Sequence, residues 1–192
     1  MKYEELPVPE AYELQNAGGL VLVCTRGQVR AEASGASSGG SDSLFRYDLA
    51  PIAWCCPLDY APVSRLLLVC DTGHKTYEDL VKSNEFAVAL PTPSQIDLVN
   101  RTGSVSGRDV DKYAKFGIKA FAAHTIDAQV PEGVAGWLEC RLLKVIVEGT
   151  SAVVMGEVLY AAARKDFWRE RIHYVREGLM FVPGKEFAPE RY

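Results

Sequence analysis

Nowhere in this 192-residue chain do apolar residues run for the ~18 to 20 positions that a membrane-spanning helix requires. The opening MKYEELPVPE is acidic and lacks the basic-then-apolar layout of a secretory signal, so the expected location is the cytoplasm. A surplus of positive charge is also missing. Lys and Arg number 21 against 25 Asp and Glu, a formal net charge of -4, which offers no general attraction to nucleic acid or to a membrane surface. Local basic clusters can still hold a small anion. No GxGxxG and no GxxxxGK[ST] occurs, which removes the common dinucleotide and P-loop signatures. Histidine is scarce, at 3 residues, and none recurs with Cys or carboxylate at metal-ligand spacing, so no metal is expected. The 5 cysteines, Cys24, Cys55, Cys56, Cys70 and Cys140, are odd in number and follow no framework spacing. They read as reduced core thiols.

What the chain does have is apolar content: 48% hydrophobic residues suffice for a full core, and the length favours one domain over residues 1–192. The strongest periodic signals are strands: GLVLVCT (19–25), SRLLLVCD (64–71), EFAVAL (85–90), GWLECRLLKVIVEG (136–149) and SAVVMGEVLYAA (151–162). The last two form an expected hairpin turning at Glu148, Gly149 and Thr150, long enough to coil around a barrel. Short helices are expected at TYEDLVKS, PSQIDLVNRTG and DVDKYAKFG, as connections rather than a layer. Residues 27–43, GQVRAEASGASSGGSDS, predict a mobile Gly/Ser-rich loop, and a C-terminal extension begins at about residue 163. The resulting fold class is mainly β, an antiparallel barrel with short peripheral helices.

Three separated stretches carry chemistry. In LAPIAWCCPLDYAPVSRLLLVC (49–70), Pro51 and Pro57 stiffen the backbone while Ala50 and Ala53 allow a close approach, a wall suited to a flat ring. Trp54 either meets such a ring or covers the barrel end. In CDTGHKTYEDL (70–80) a strand ends, the chain turns at Gly73 and a helix begins near Thr76. Free backbone N–H groups, a hydroxyl and the Lys75 ammonium then converge in the outline of a phosphate site; the competing reading is an ordinary Thr cap. His74 reads as a solvated loop residue. In NRTGSVSGRDVDKYAKFG (100–117) a compact loop presents Arg108 and Lys112, either to an anion or as a charged helix face.

Taken in order, YDLAPIAWCCPLDYAPV, LLLVCDTGHKTYEDLVKSNEFAV, SGRDVDKYAKFGIKAF and WLECRLLKVI resemble the flavin reductase-like, FMN-binding split-barrel family, and most closely its flavoredoxin branch. The resemblance implies a Greek-key split barrel, a homodimer and one non-covalent FMN per subunit near the dimer interface. It places Trp54 on the tryptophan of an APxxW motif beside the flavin, with Ala53 next to it. Cys55 and Cys56 follow on a strand where only one can face the ring. Thr76 falls at the phosphate-binding turn, with Thr72, His74 and Lys75 around it, and Lys112 on the lysine of SGRDVDK, with Ser106 before it. Lys112 is the expected partner of the phosphate, while Lys75 is expected to face solvent.

Asp48 and Ser151 complete the implied cofactor-binding set and depart from the family, which often has Asn and His there. An anion at Asp48 would repel a nearby phosphate. No side chain is assigned as a catalyst, because the flavin carries the chemistry. The first functional reading is a flavin reductase passing electrons from NAD(P)H to flavin or another acceptor. The second is a flavoredoxin-type carrier serving a redox protein or a small-molecule redox substrate. The third is a split barrel that has lost flavin and binds another small molecule.

Overall fold

A computed structural model of the chain describes residues 19–28, 45–165 and 167–184. Its strands are β1 (Val21–Gln28), β2 (Phe45–Ile52), β3 (Cys55–Asp59), β4 (Arg65–Asp71), β5 (Glu85–Leu90), β6 (Ala120–Ala122), β7 (Gln129–Pro131), β8 (Gly136–Glu148), β9 (Ser151–Ala163), β10 (His173–Arg176) and β11 (Leu179–Phe181). The helices are α1 (Lys75–Ser83), α2 (Ile96–Gly103) and α3 (Lys112–Phe116). Among the described residues no helix is long and apolar enough to cross a membrane.

Seven strands form one antiparallel sheet in the order β2-β1-β5-β8-β9-β4-β3. Its two edges, β2 and β3, are consecutive in the chain and joined only through Ala53 and Trp54. Laid flat, the edges of such a sheet would lie about 29 Å apart. The link from Ile52 to Cys55 reaches about 11 Å at most. The sheet must therefore curl until its edges approach, and because β2 and β3 never pair it remains a split rather than a closed barrel. The Val69 N–H donates to the Trp54 carbonyl at 2.9 Å and ties the link to β4.

The core confirms the curl. One buried cluster unites Val21 and Val23 of β1 with Leu66 and Leu68 of β4, Phe86 and Val88 of β5, and Ala152 and Val154 of β9. Edge strand β2 also contacts β4, from which four strands separate it in sheet order, and this requires the sheet to fold round on itself. A second cluster holds the alternate residues Leu22, Cys24, Ala87 and Ala89 with Val99 of α2 and Val130 of β7. It covers the outer face of β1 and β5. Those two strands are buried on both faces, which is why their sequences are continuous apolar runs rather than alternating ones.

Several local expectations need correction. Gly27 and Gln28 pair with Arg46 and Phe45 as the end of β1, while the rest of the expected mobile loop lies outside the described residues. β2 was not foreseen as a strand, because Asp48 and Pro51 interrupt its pattern; an edge position spares Pro51 the missing donor, as it does Pro57 in β3. The helix expected from Asp109 starts only at Lys112, capped by the Asp111 carboxylate, which accepts from the Ala114 N–H at 2.9 Å. Glu148 still pairs with Ser151, so the β8–β9 turn is shorter than expected, with Gly149 supplying a φ of 57°.

Candidate functional site

The turn between β4 and α1 leaves its helix open to an anion. Asp71 Oδ1 accepts from the Gly73 N–H at 2.7 Å and folds the chain back. The residue before the helix, His74, is extended (φ -79°, ψ 148°) and makes no side-chain cap. The first N–H groups of α1 thus keep their partial positive charge. The helix start, His74, Lys75 and Thr76, lines a cavity of about 300 Å³ together with residues 103–107, Arg108 and the buried Asp48 and Lys112. Arg108 is held across the mouth. Its guanidinium donates to the Gly73 carbonyl at 2.8 Å and to Glu78 at 3.1 Å, and its N–H donates to Ser106 Oγ at 3.1 Å.

Both lysines of the site are committed to buried carboxylates. Lys112 Nζ lies 3.1 Å from Asp48 Oδ1 and donates to the Leu49 carbonyl at 2.7 Å. Lys75, expected to face solvent, is buried; its Nζ lies 2.6 Å from Asp79 and donates to the Gln28 carbonyl at 3.0 Å. The α1 helix turns it inward because residues 75 and 79 share one face. Burial pushes the Asp48 and Asp79 carboxyls above their ordinary values, and the paired lysines only partly offset this. Glu78 is pulled the other way, down to about 2, by the Lys82 hydrogen bond and then by Lys75. With each lysine balanced by an aspartate and Arg108 paired with Glu78, the unbalanced positive potential of the cavity comes from the start of α1.

Asp48 does not stand as a lone repelling anion, since Lys112 lies against it. The backbone closes over this pair: a Cβ on Gly107 would come within 2.2 Å of Asp48 Oδ2. Only glycine lets the loop pass so near the carboxylate.

The polar cavity adjoins, with Pro51, Gly103 and Ser104 lining both, an apolar one of about 670 Å³. Ala53, Trp54, Val99, Tyr174 and Met180 line it. Trp54 is 50% exposed there and forms part of the open wall. The two cavities make one cleft, charged at one end and flat and apolar at the other.

Eight residues expected at the site therefore meet in the cleft: Asp48, Ala53, Trp54, His74, Lys75, Thr76, Ser106 and Lys112. Four do not. Cys55 packs against the barrel interior, where burial pushes its thiol up to about 11, and Cys56 is exposed on the opposite face of β3. Thr72 lies in the turn, its N–H donating to the Thr150 carbonyl at 2.8 Å, and Ser151 is exposed opposite Asp71. The site set omitted Arg108, although SGRD carried it. It also omitted Tyr174 and Met180, which the β10–β11 hairpin delivers from far along the chain with no local signal.

The fold and the cleft together define a class, the antiparallel split barrels with a polar and apolar site beside the linked sheet edges. The chain belongs to the flavin reductase like domain family, whose model matches residues 15–181. It is 32% identical over 124 residues to YddH, an uncharacterized protein of Escherichia coli, covering 62% of this chain and 63% of that protein. The chain thus spans less than two thirds of that relative. An FMN-binding protein from Thermus thermophilus, solved with 1-cyclohex-2-enone bound, superposes with a TM-score of 0.76 at 23% identity, covering 98% of this chain and 99% of that one. The flavoredoxin of Desulfovibrio vulgaris (Miyazaki F) superposes with a TM-score of 0.76 at 17% identity, covering 99% and 97%. The split-barrel fold expected from the sequence is the observed one.

Proposed function

We propose that this protein binds FMN non-covalently in the cleft and uses it to pass electrons from NAD(P)H to free flavin or another small redox acceptor. The observation that carries this reading is the continuity of an anion-receptive end with an apolar wall. The residues fit the cofactor. Thr76, the open N-terminus of α1 and Arg108 suit a terminal phosphate. Ser104, Ser106 and the Asp48 carboxylate offer polar partners to a polyol chain. Pro51, Ala53 and Trp54 suit the face of a flat ring. FMN when bound supplies the reversible redox chemistry; the protein binds it, orients it and limits the access of water.

Calorimetry with FMN, riboflavin and FAD tests the assignment. FMN is expected to bind tightest and to leave the protein yellow after dialysis. Equal affinity for riboflavin and FMN overturns the phosphate site. Anaerobic addition of NADH or NADPH then tests the donor: bleaching of bound flavin supports the reductase, whereas bleaching only by dithionite supports a flavoredoxin-type carrier.

We infer also that the protein works as a homodimer. Leu143, Ile146 and Val147 of β8 and Leu159 of β9 are exposed large apolar side chains that a partner would cover. Sedimentation velocity over a dilution series should show a dimer; a monomer at all concentrations removes the inference.

A further inference from the structure

Another cavity, of about 450 Å³, opens at the mouth of the barrel and shares no lining residue with the cleft. Val21, Leu66 and Val88 in its wall belong to the interior cluster, and Leu138 and Val158 pack against that cluster. Such a concave, largely apolar space with a few polar groups is the usual form of a small-molecule site.

The polar groups are of one sign. Among the described residues no carboxylate lines the cavity, but Arg65 and Arg171 do. The Nε atoms of both are buried and have no hydrogen-bond partner among the described residues. Arg171 forms no ion pair among the described residues, and its guanidinium lies over Gly19, where a Cβ would come within 1.8 Å of Nη2. Arg65, whose side chain is 41% exposed, forms an ion pair with Asp59, Nη1 to Oδ2 at 3.7 Å, that leaves its Nε free. Burial draws the Arg171 guanidinium below its ordinary pKa, as expected for a cation withdrawn from water without a counter-ion. A charged donor left unpaired beside an apolar space, as Arg171 is among the described residues, is costly, and an anion with an apolar body satisfies the donor and the space at once.

We propose that this barrel-mouth cavity binds a small organic carboxylate, its head on the arginine guanidiniums and its hydrocarbon body against Val21, Leu66, Val88 and Val158. The planar fork of arginine suits a carboxylate, and the walls require an apolar body rather than a free inorganic anion.

The test is calorimetric titration of the purified full-length protein with sodium octanoate and, as its uncharged counterpart, octan-1-ol. Octanoate should bind at one site per chain, and octan-1-ol about tenfold or more weakly. Arg171→Met should lower octanoate affinity by about tenfold or more while leaving octan-1-ol within about twofold. Arg65→Met should act in the same direction and serves if Arg171→Met does not fold. Added FMN should leave the octanoate constant unchanged. No binding at millimolar octanoate, equal affinity for acid and alcohol, or competition with FMN overturns the proposal.

Discussion

The pairs Asp48–Lys112 and Lys75–Asp79 use the same chemistry at nearly the same depth. Their side chains are 3% and 3% exposed in the first and 7% and 1% in the second. They differ in what they adjoin. Lys75 lines the cleft, but Asp79, which lies within α1 beneath Gly27, where a Cβ would meet its carboxylate at 1.6 Å, does not. Its pair fastens α1 to the end of β1. Asp48 and Lys112 both line the cleft, so the other pair lays a balanced charge beneath the candidate phosphate site. Depth and distance therefore do not separate a structural ion pair from one that faces a ligand; the neighbouring space does.

The largest expected effect separates the pairs by stability. Asp79→Ala leaves the buried Lys75 with only Glu78, 3.4 Å away and shared with Lys82, as a counter-ion and should cost up to about 3 kcal/mol in urea unfolding. FMN affinity of the folded fraction should change little. A large loss of affinity without loss of stability would make the α1 pair part of the binding site after all.

The next effect is on the ligand. Lys112→Ala removes the cation beside Asp48 and exposes a phosphate to an uncompensated carboxylate, so FMN affinity should fall by about ten- to a hundred-fold, or roughly 1.5–3 kcal/mol. Lys75→Ala should weaken FMN less and unfold the protein more readily. Calorimetry and urea curves on the same samples check both halves; equal effects of the two variants on affinity would erase the distinction.

The smallest effect concerns pH. Asp48 and Asp79 have folded-state pKa values raised above 3.8, so the folded protein takes up their protons first, and their contribution to stability declines as pH rises through the raised values. Glu78 acts in the opposite sense. Its contribution is present above 4.5 and is lost as pH falls toward about 2. Stability measured by urea from pH 7 to 3 should therefore fall mainly at the acid end, with Glu78→Gln flattening that fall. Asp79→Asn should flatten the slope at milder acidity. A slope at mild acidity that survives in both Asp79→Asn and Asp48→Asn would place its source elsewhere.

Local sequence determined more of the barrel than of its cleft. β5 (Glu85–Leu90) coincides with its apolar run, and the β8 and β9 strands differ from theirs by a residue at most, because burial on one or both faces writes itself into consecutive side chains. Asp71, Gly73 and Thr76 marked the open helix start, since turn and helix entry depend on residues within a few positions. The position of β2, and the curl that Ala53 and Trp54 impose on the sheet, depended on pairing between strands distant in sequence. Lys112 could be identified as a basic residue near an anion, but its attachment to Asp48 follows from bringing α3 beside β2, and the inward turn of Lys75 from docking α1 on β1. Ion pairs across elements have no sequence period. The sequence by itself thus determined which segments are strands and where an anion-receptive turn lies, and only the tertiary structure decided which lysine meets which carboxylate and which walls face one cleft, because those depend on distances that close when the sheet curls.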